Sequence, residues 1–132
     1  MTESLWPGAT MRSFVEQAQE AAGVSSFEEA DALVRATLTT LGESVSGGQI
    51  DELVQGLPPE VRDELSRRSG QARAMDKNGF LDRVSGAIST TDLERTEQQV
   101  RAVLATVRDW APEGETADTI DQLPPSLAQL FR

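Results

Sequence analysis

Leu57-Pro58-Pro59 and Leu123-Pro124-Pro125 are one short phrase written twice, 66 positions apart. Carried backwards without a gap, the same offset sets Phe14 on Phe80, Ala21 on Ala87, Glu28 on Glu94 and Val34-Arg35-Ala36 on Val100-Arg101-Ala102. Leu38 then falls on Leu104, Thr40 on Thr106 and Gly48 on Gly114. A chain that repeats itself in this way is expected to fold as two copies of one unit. Each copy is of the size at which a helical domain becomes marginal, because so short a chain buries a small fraction of its surface. The two copies are therefore expected to share one core.

The periodicity says what the unit is made of. Met11, Phe14, Val15, Ala18 and Ala22 recur at helical spacing after Thr10, a residue suited to capping, and Gly23 ends the run. The second copy repeats this from Asp76 through Phe80, Leu81, Val84, Ala87 and Ile88. A longer helix follows. Ser26 and Glu29 stand in capping-box register ahead of Phe27, Ala30, Val34, Leu38, Leu41 and Val45, and Asp92 opens the partner helix with Leu93, Val100, Val103, Leu104 and Val107. Ser46-Gly47-Gly48 and Pro112-Glu113-Gly114 break these helices. Short third helices are predicted from Gln49 to about Gly56 and from Glu115 to about Gln122.

Proline disfavours the α conformation in the residue before it and is tolerated at the first helical position, so each Leu-Pro-Pro reads as a corner. A fourth helix leaves each corner, carrying Val61 and Leu65 in one copy and Leu127, Leu130 and Phe131 in the other. No run alternates as a half-buried strand would. The expected fold is all-α, about eight helices in two tandem four-helix repeats, pseudo-symmetric about one core. Residues 1–9 form an N-terminal extension, 10–66 the first repeat, 67–75 a linker and 76–132 the second repeat, in one compact domain.

An aromatic-led first helix is followed in both copies by Arg-Ala-x-Leu (Arg35 to Leu38, Arg101 to Leu104), and the second copy adds a Gly114-Glu115 turn and a Gln122-Leu123-Pro124 corner. Together these resemble the uncharacterised prokaryotic family known as domain of unknown function 2267, over about Met11 to Arg132. The resemblance implies an all-helical fold and no established activity. The first copy departs from the family pattern, with Gln49 in place of Glu and Gly56 in place of Gln. A family site built on those polar residues would survive only in the second copy, at Glu115.

Composition narrows the function. There is no cysteine, histidine or tyrosine, so disulfides, thiolate metal sites and the commonest general base at neutral pH are excluded. No cofactor is expected. The carboxylate pairs Asp51 with Glu52 and Glu113 with Glu115 lack the alternation and central glycine of a calcium loop and read as solvated surface. Neither a nucleophile elbow nor a phosphate loop is present. Twenty-two acids against twelve bases give a net charge of −10, which opposes nucleic acid and anionic membranes as partners. The bases are eleven arginines and Lys77, and this acidic, lysine-poor surface fits either a high-salt cytoplasm or a GC-rich genome. The first eleven residues lack the basic and apolar regions of a leader, so a cytoplasmic location is expected.

Five residues are candidate interaction sites. Arg35 and Arg101 each follow an acid by four residues, Asp31 and Glu97, in the orientation that favours a helical ion pair worth about 0.2–0.5 kcal/mol. Each either pairs along its own helix and reaches carbonyls at the Leu-Pro-Pro corner, or receives an anionic ligand or an acidic segment. Glu115 is the third. Trp6 and Trp110 break the symmetry and either bury together, the extension lying on the second long helix, or anchor a partner. The leading expectation is a non-enzymatic module that binds protein, itself or another. The alternative is an arginine- and carboxylate-based small-ligand binder or enzyme with a cleft between the repeats.

Overall fold

A computed structural model describes residues 11–44, 55, 57–66, 76–111, 114–121, 123 and 125–131. Every regular element among them is helical: α1 (Met11–Ala22), α2 (Phe27–Ser44), α3 (Pro59–Ser66), α4 (Lys77–Ala87), α5 (Leu93–Trp110), α6 (Glu115–Asp121) and α7 (Pro125–Ala128), the last continued by a 3₁₀ turn over Gln129–Phe131. Of the eight expected helices, that from Gln49 to Gly56 lies outside the described residues except for Gln55, and the extension, the linker and the capping residue Thr10 lie outside them entirely. No described helix is long and apolar enough to cross a membrane.

The helix ends have local causes. Ser26 Oγ accepts from the Glu29 amide at 3.1 Å, and Glu29 Oε1 receives the hydroxyls of Ser25 and Ser26 rather than the Ser26 amide of a full capping box. Asp76 and Asp92 cap α4 and α5 by accepting from the amides of Gly79 and Arg95. Gly23 ends α1 in the left-handed conformation, φ 71°, with the amides of Gly23 and Val24 both on the Gln19 carbonyl. The residue 66 positions later is Ser89, which adopts φ 59° without the freedom of glycine.

At the first corner Pro59 opens α3, and the Pro58 carbonyl accepts from the amides of Val61 and Arg62. At the second, the Leu123 amide donates to the Ile120 carbonyl before Pro125 opens α7. Leu57 and Leu123 are both buried.

The two eighteen-residue helices α2 and α5 begin 66 positions apart and form the middle of the molecule. Each packs against both first helices. α1 lies more extensively on α5 than on its own neighbour α2, and α4 packs on α2 as well as on α5. One buried cluster runs through the whole, from Phe14, Val34, Leu38 and Leu65 to Phe80, Val100, Leu104 and Phe131. Gly42 allows a close approach of α2 and α3, since a Cβ there would collide with the backbone carbonyl of Leu65.

Candidate functional site

The two repeated arginines have structural partners. Arg35 Nε donates to Asp31 at 3.0 Å, and its Nη1 crosses to the buried carboxylate of Glu64 on α3 at 2.7 Å. Thr39 Oγ1 donates to the same carboxylate at 3.2 Å. The Asp31 hydrogen bond, opposed by burial and reinforced by Glu64, raises the Arg35 pKa. Arg101 holds Glu97 at 3.0 Å and donates from Nη1 to the Gln129 carbonyl at 2.9 Å, while Arg108 donates to the Phe131 carbonyl at 2.7 Å. Among the described residues, the carbonyls that Arg101 and Arg108 reach belong to the end of the last helix. The corner carbonyl of Pro58 already has its amides, whereas a helix C-terminus leaves carbonyls unsatisfied.

Trp110, at the end of α5, packs edge-on against Phe14 of α1 with ring centroids 5.3 Å apart, and its indole Nε1 donates to Gln17 Oε1 at 2.9 Å. Trp6 lies outside the described residues. Glu115 opens α6; its side chain, and the pairs Asp51–Glu52 and Glu113–Glu115, lie outside them too. Among the described residues no three carboxylates converge on a metal position.

Among the described residues, openings lie where the first and second halves of the chain meet. A wide cleft of about 350 Å³ between α2 and α4 holds Arg35, Glu43 and Arg83 but not Arg101. Its polar groups are engaged, Arg83 Nη2 gripping the buried Glu43 carboxylate at 2.5 and 2.6 Å. A smaller groove, about 280 Å³, opens between the first turns of α2 and α5. Val24, Leu33 and Ile88 form its apolar wall; Glu29, Asp92, Arg95 and Gln99 are polar members.

Gln99 is the unusual residue of this groove. It is 9% exposed, and its amide has no hydrogen-bond partner among the described residues. Glu29 and Arg95 line the same groove without pairing with each other. Three pairs of positions 66 apart meet here: Val24 with Thr90, Glu29 with Arg95, Leu33 with Gln99. In each the first half supplies the apolar or acidic member and the second the polar or basic one.

The family model described as Uncharacterized conserved protein (DUF2267) matches residues 11–130. The chain belongs to this family. No curated protein matches it. The DUF2267 description assigns no residue a role, so roles rest on geometry. Among the described residues of this DUF2267 member, the buried Gln99 side chain lacks a protein hydrogen-bond partner, and it lies outside the five sequence candidates. The signal was present in the sequence as a glutamine at the register of a core leucine, Leu33, on the inward face of a helix. Matches at the 66-residue offset hide such a position; mismatches on the buried face reveal it.

Proposed function

We propose that the protein is a non-enzymatic binding module whose recognition site is the groove between the first turns of α2 and α5. The buried, unpartnered amide of Gln99 carries this reading. An unsatisfied polar group of this kind costs about 1–3 kcal/mol, and leucine serves at the matching position of the other half. A side chain that a helix keeps at such a cost is best explained by a ligand that completes its hydrogen bonds. The volume, about 280 Å³, lies at the small end of ligand pockets and fits a small molecule better than a macromolecular surface.

Binding of another protein chain, or of a second copy, calls for an exposed apolar face, and among the described residues Leu93, 42% exposed, is the one large apolar side chain that is open. Net charge −10 speaks against nucleic acid and anionic membranes. In this reading the scaffold is two tandem four-helix copies about a pseudo-twofold axis, which puts the groove where matching positions of the copies face each other. The 66-residue spacing of the starts of α2 and α5 supports it, and superposition of residues 11–44 on 77–110 tests it. We place the module in the cytoplasm, where an acidic, lysine-poor surface suits high salt.

Gln99→Leu is the direct test of the site. Thermal unfolding should shift upward by roughly 2–8 °C, the range for a gain of about 1 kcal/mol in a domain of this size. A variant that melts below the parent would mean that Gln99 serves the fold, and the groove reading would fall.

A further inference from the structure

Beside the hydroxyls of Ser89, Thr90 and Thr96 and the Asp92 carboxylate that caps α5, the groove holds a guanidinium, a second carboxylate and an amide whose arrangement narrows what can fill it. Arg95 brings a guanidinium with no carboxylate in ion-pair reach among the described residues, its backbone amide alone being engaged in the Asp92 cap. On the same groove, from the first half of the chain, Glu29 spends one oxygen, Oε1, on the hydroxyls of Ser25 and Ser26 at 3.4 and 3.5 Å, and Oε2 enters neither bond. Opposite charges lining one groove without closing on each other form a dipolar site. The buried Gln99 amide, which can donate and accept, and the apolar surface of Val24, Leu33 and Ile88 complete it.

We propose that this groove binds a small aliphatic α-amino acid, its carboxylate on the Arg95 guanidinium, its ammonium on Glu29, and its side chain on Val24, Leu33 and Ile88. This rests on the groove being the recognition site. A guanidinium fork matches a carboxylate bidentately, and charge-assisted hydrogen bonds are the strong ones in a small contact. A plain anion leaves Glu29 opposing it; a plain cation leaves Arg95 opposing it. The zwitterion satisfies both, and the Gln99 amide gains the partner that the fold does not give it.

The test is a titration of the ¹⁵N-labelled full chain at low ionic strength, with L-leucine, with 4-methylpentanoate, which lacks the ammonium, and with 3-methylbutylamine, which lacks the carboxylate. L-leucine should move the Gln99 side-chain amide and the backbone amides of Val24, Leu33 and Ile88 saturably. The other two should bind at least about tenfold more weakly, the scale of one lost charge-assisted contact. Arg95→Gln and Glu29→Gln should each weaken L-leucine by about tenfold or more while the folded spectrum persists. Equal binding of 4-methylpentanoate, or no saturable shift at Gln99 with L-leucine, would overturn the amino-acid assignment. The two readings fail separately: Gln99→Leu melting higher with no L-leucine shift in the parent removes the ligand class and leaves the groove, whereas Gln99→Leu melting lower removes the groove itself.

Discussion

Gly42 and Ser89 show how much a single backbone position can decide. Gly42 sits inside α2, where glycine is otherwise unfavourable, because any side chain would strike the Leu65 carbonyl. Gly42→Ala should cost about 1–3 kcal/mol, as overpacking of a tight core does, and a urea midpoint would register it. Ser89 carries the opposite burden, a left-handed φ of 59° at the register where the first half has Gly23. Ser89→Gly should raise the melting temperature slightly, since about 1–2 kcal/mol of strain is relieved and part of that is returned as chain entropy. The Gly42 effect is not legible in the sequence, because a clash depends on a neighbour from another helix. Gln99 was legible, but only by comparing unlike residues at the 66-residue offset. Glu97 adds a pH dependence: the Arg101 hydrogen bond, helped by Lys77 and opposed by burial, lowers its pKa. A carboxylate lowered on folding contributes stability above its ordinary value near about 4.3, and loses it as pH falls through the lowered value. Glu97→Gln should therefore reduce the loss of melting temperature between neutral pH and the acid range; an unchanged acid limb would show the pair to be energetically silent.

At the scale of the helix, sequence was most informative about ends and faces. The starts of α2 and α5 follow Ser26 and Asp92 directly, and the inward faces are those that apolar spacing marks, Phe14 with Val15 and Phe80 with Leu81 among them. These features are local, so local chemistry fixes them. The targets of the arginines are not local, and Arg35 finding Glu64 or Arg101 finding the Gln129 carbonyl depends on how α3 and the last turn lie across the long helices. Leucine at each Leu-Pro-Pro corner joins the two kinds of information. Leu57 and Leu123 are buried where the chain turns, and replacing either by alanine should cost about 2–5 kcal/mol. Either variant keeping the parent melting curve would show that the corner is not held by its leucine.

For the whole molecule the decisive feature is reciprocal packing. α1 rests on α5 and α4 rests on α2, so the first helix of each half completes the surroundings of the other half's long helix. Around this interior the surface carries net charge −10, whose self-repulsion is screened over about 10 Å at 0.1 M salt. The melting temperature should rise with sodium chloride, and a flat or falling trend up to molar salt would remove both self-repulsion and the high-salt reading. That the halves share one core follows from the same interlock, and Trp110 reports on it because its ring meets Phe14 of the other half. Urea unfolding of the Trp6→Phe variant, followed at once by Trp110 fluorescence and far-ultraviolet circular dichroism, tests it most directly. One shared core predicts coincident curves with a single midpoint. Fluorescence released at lower urea than the helical signal, as two separable transitions, would contradict it.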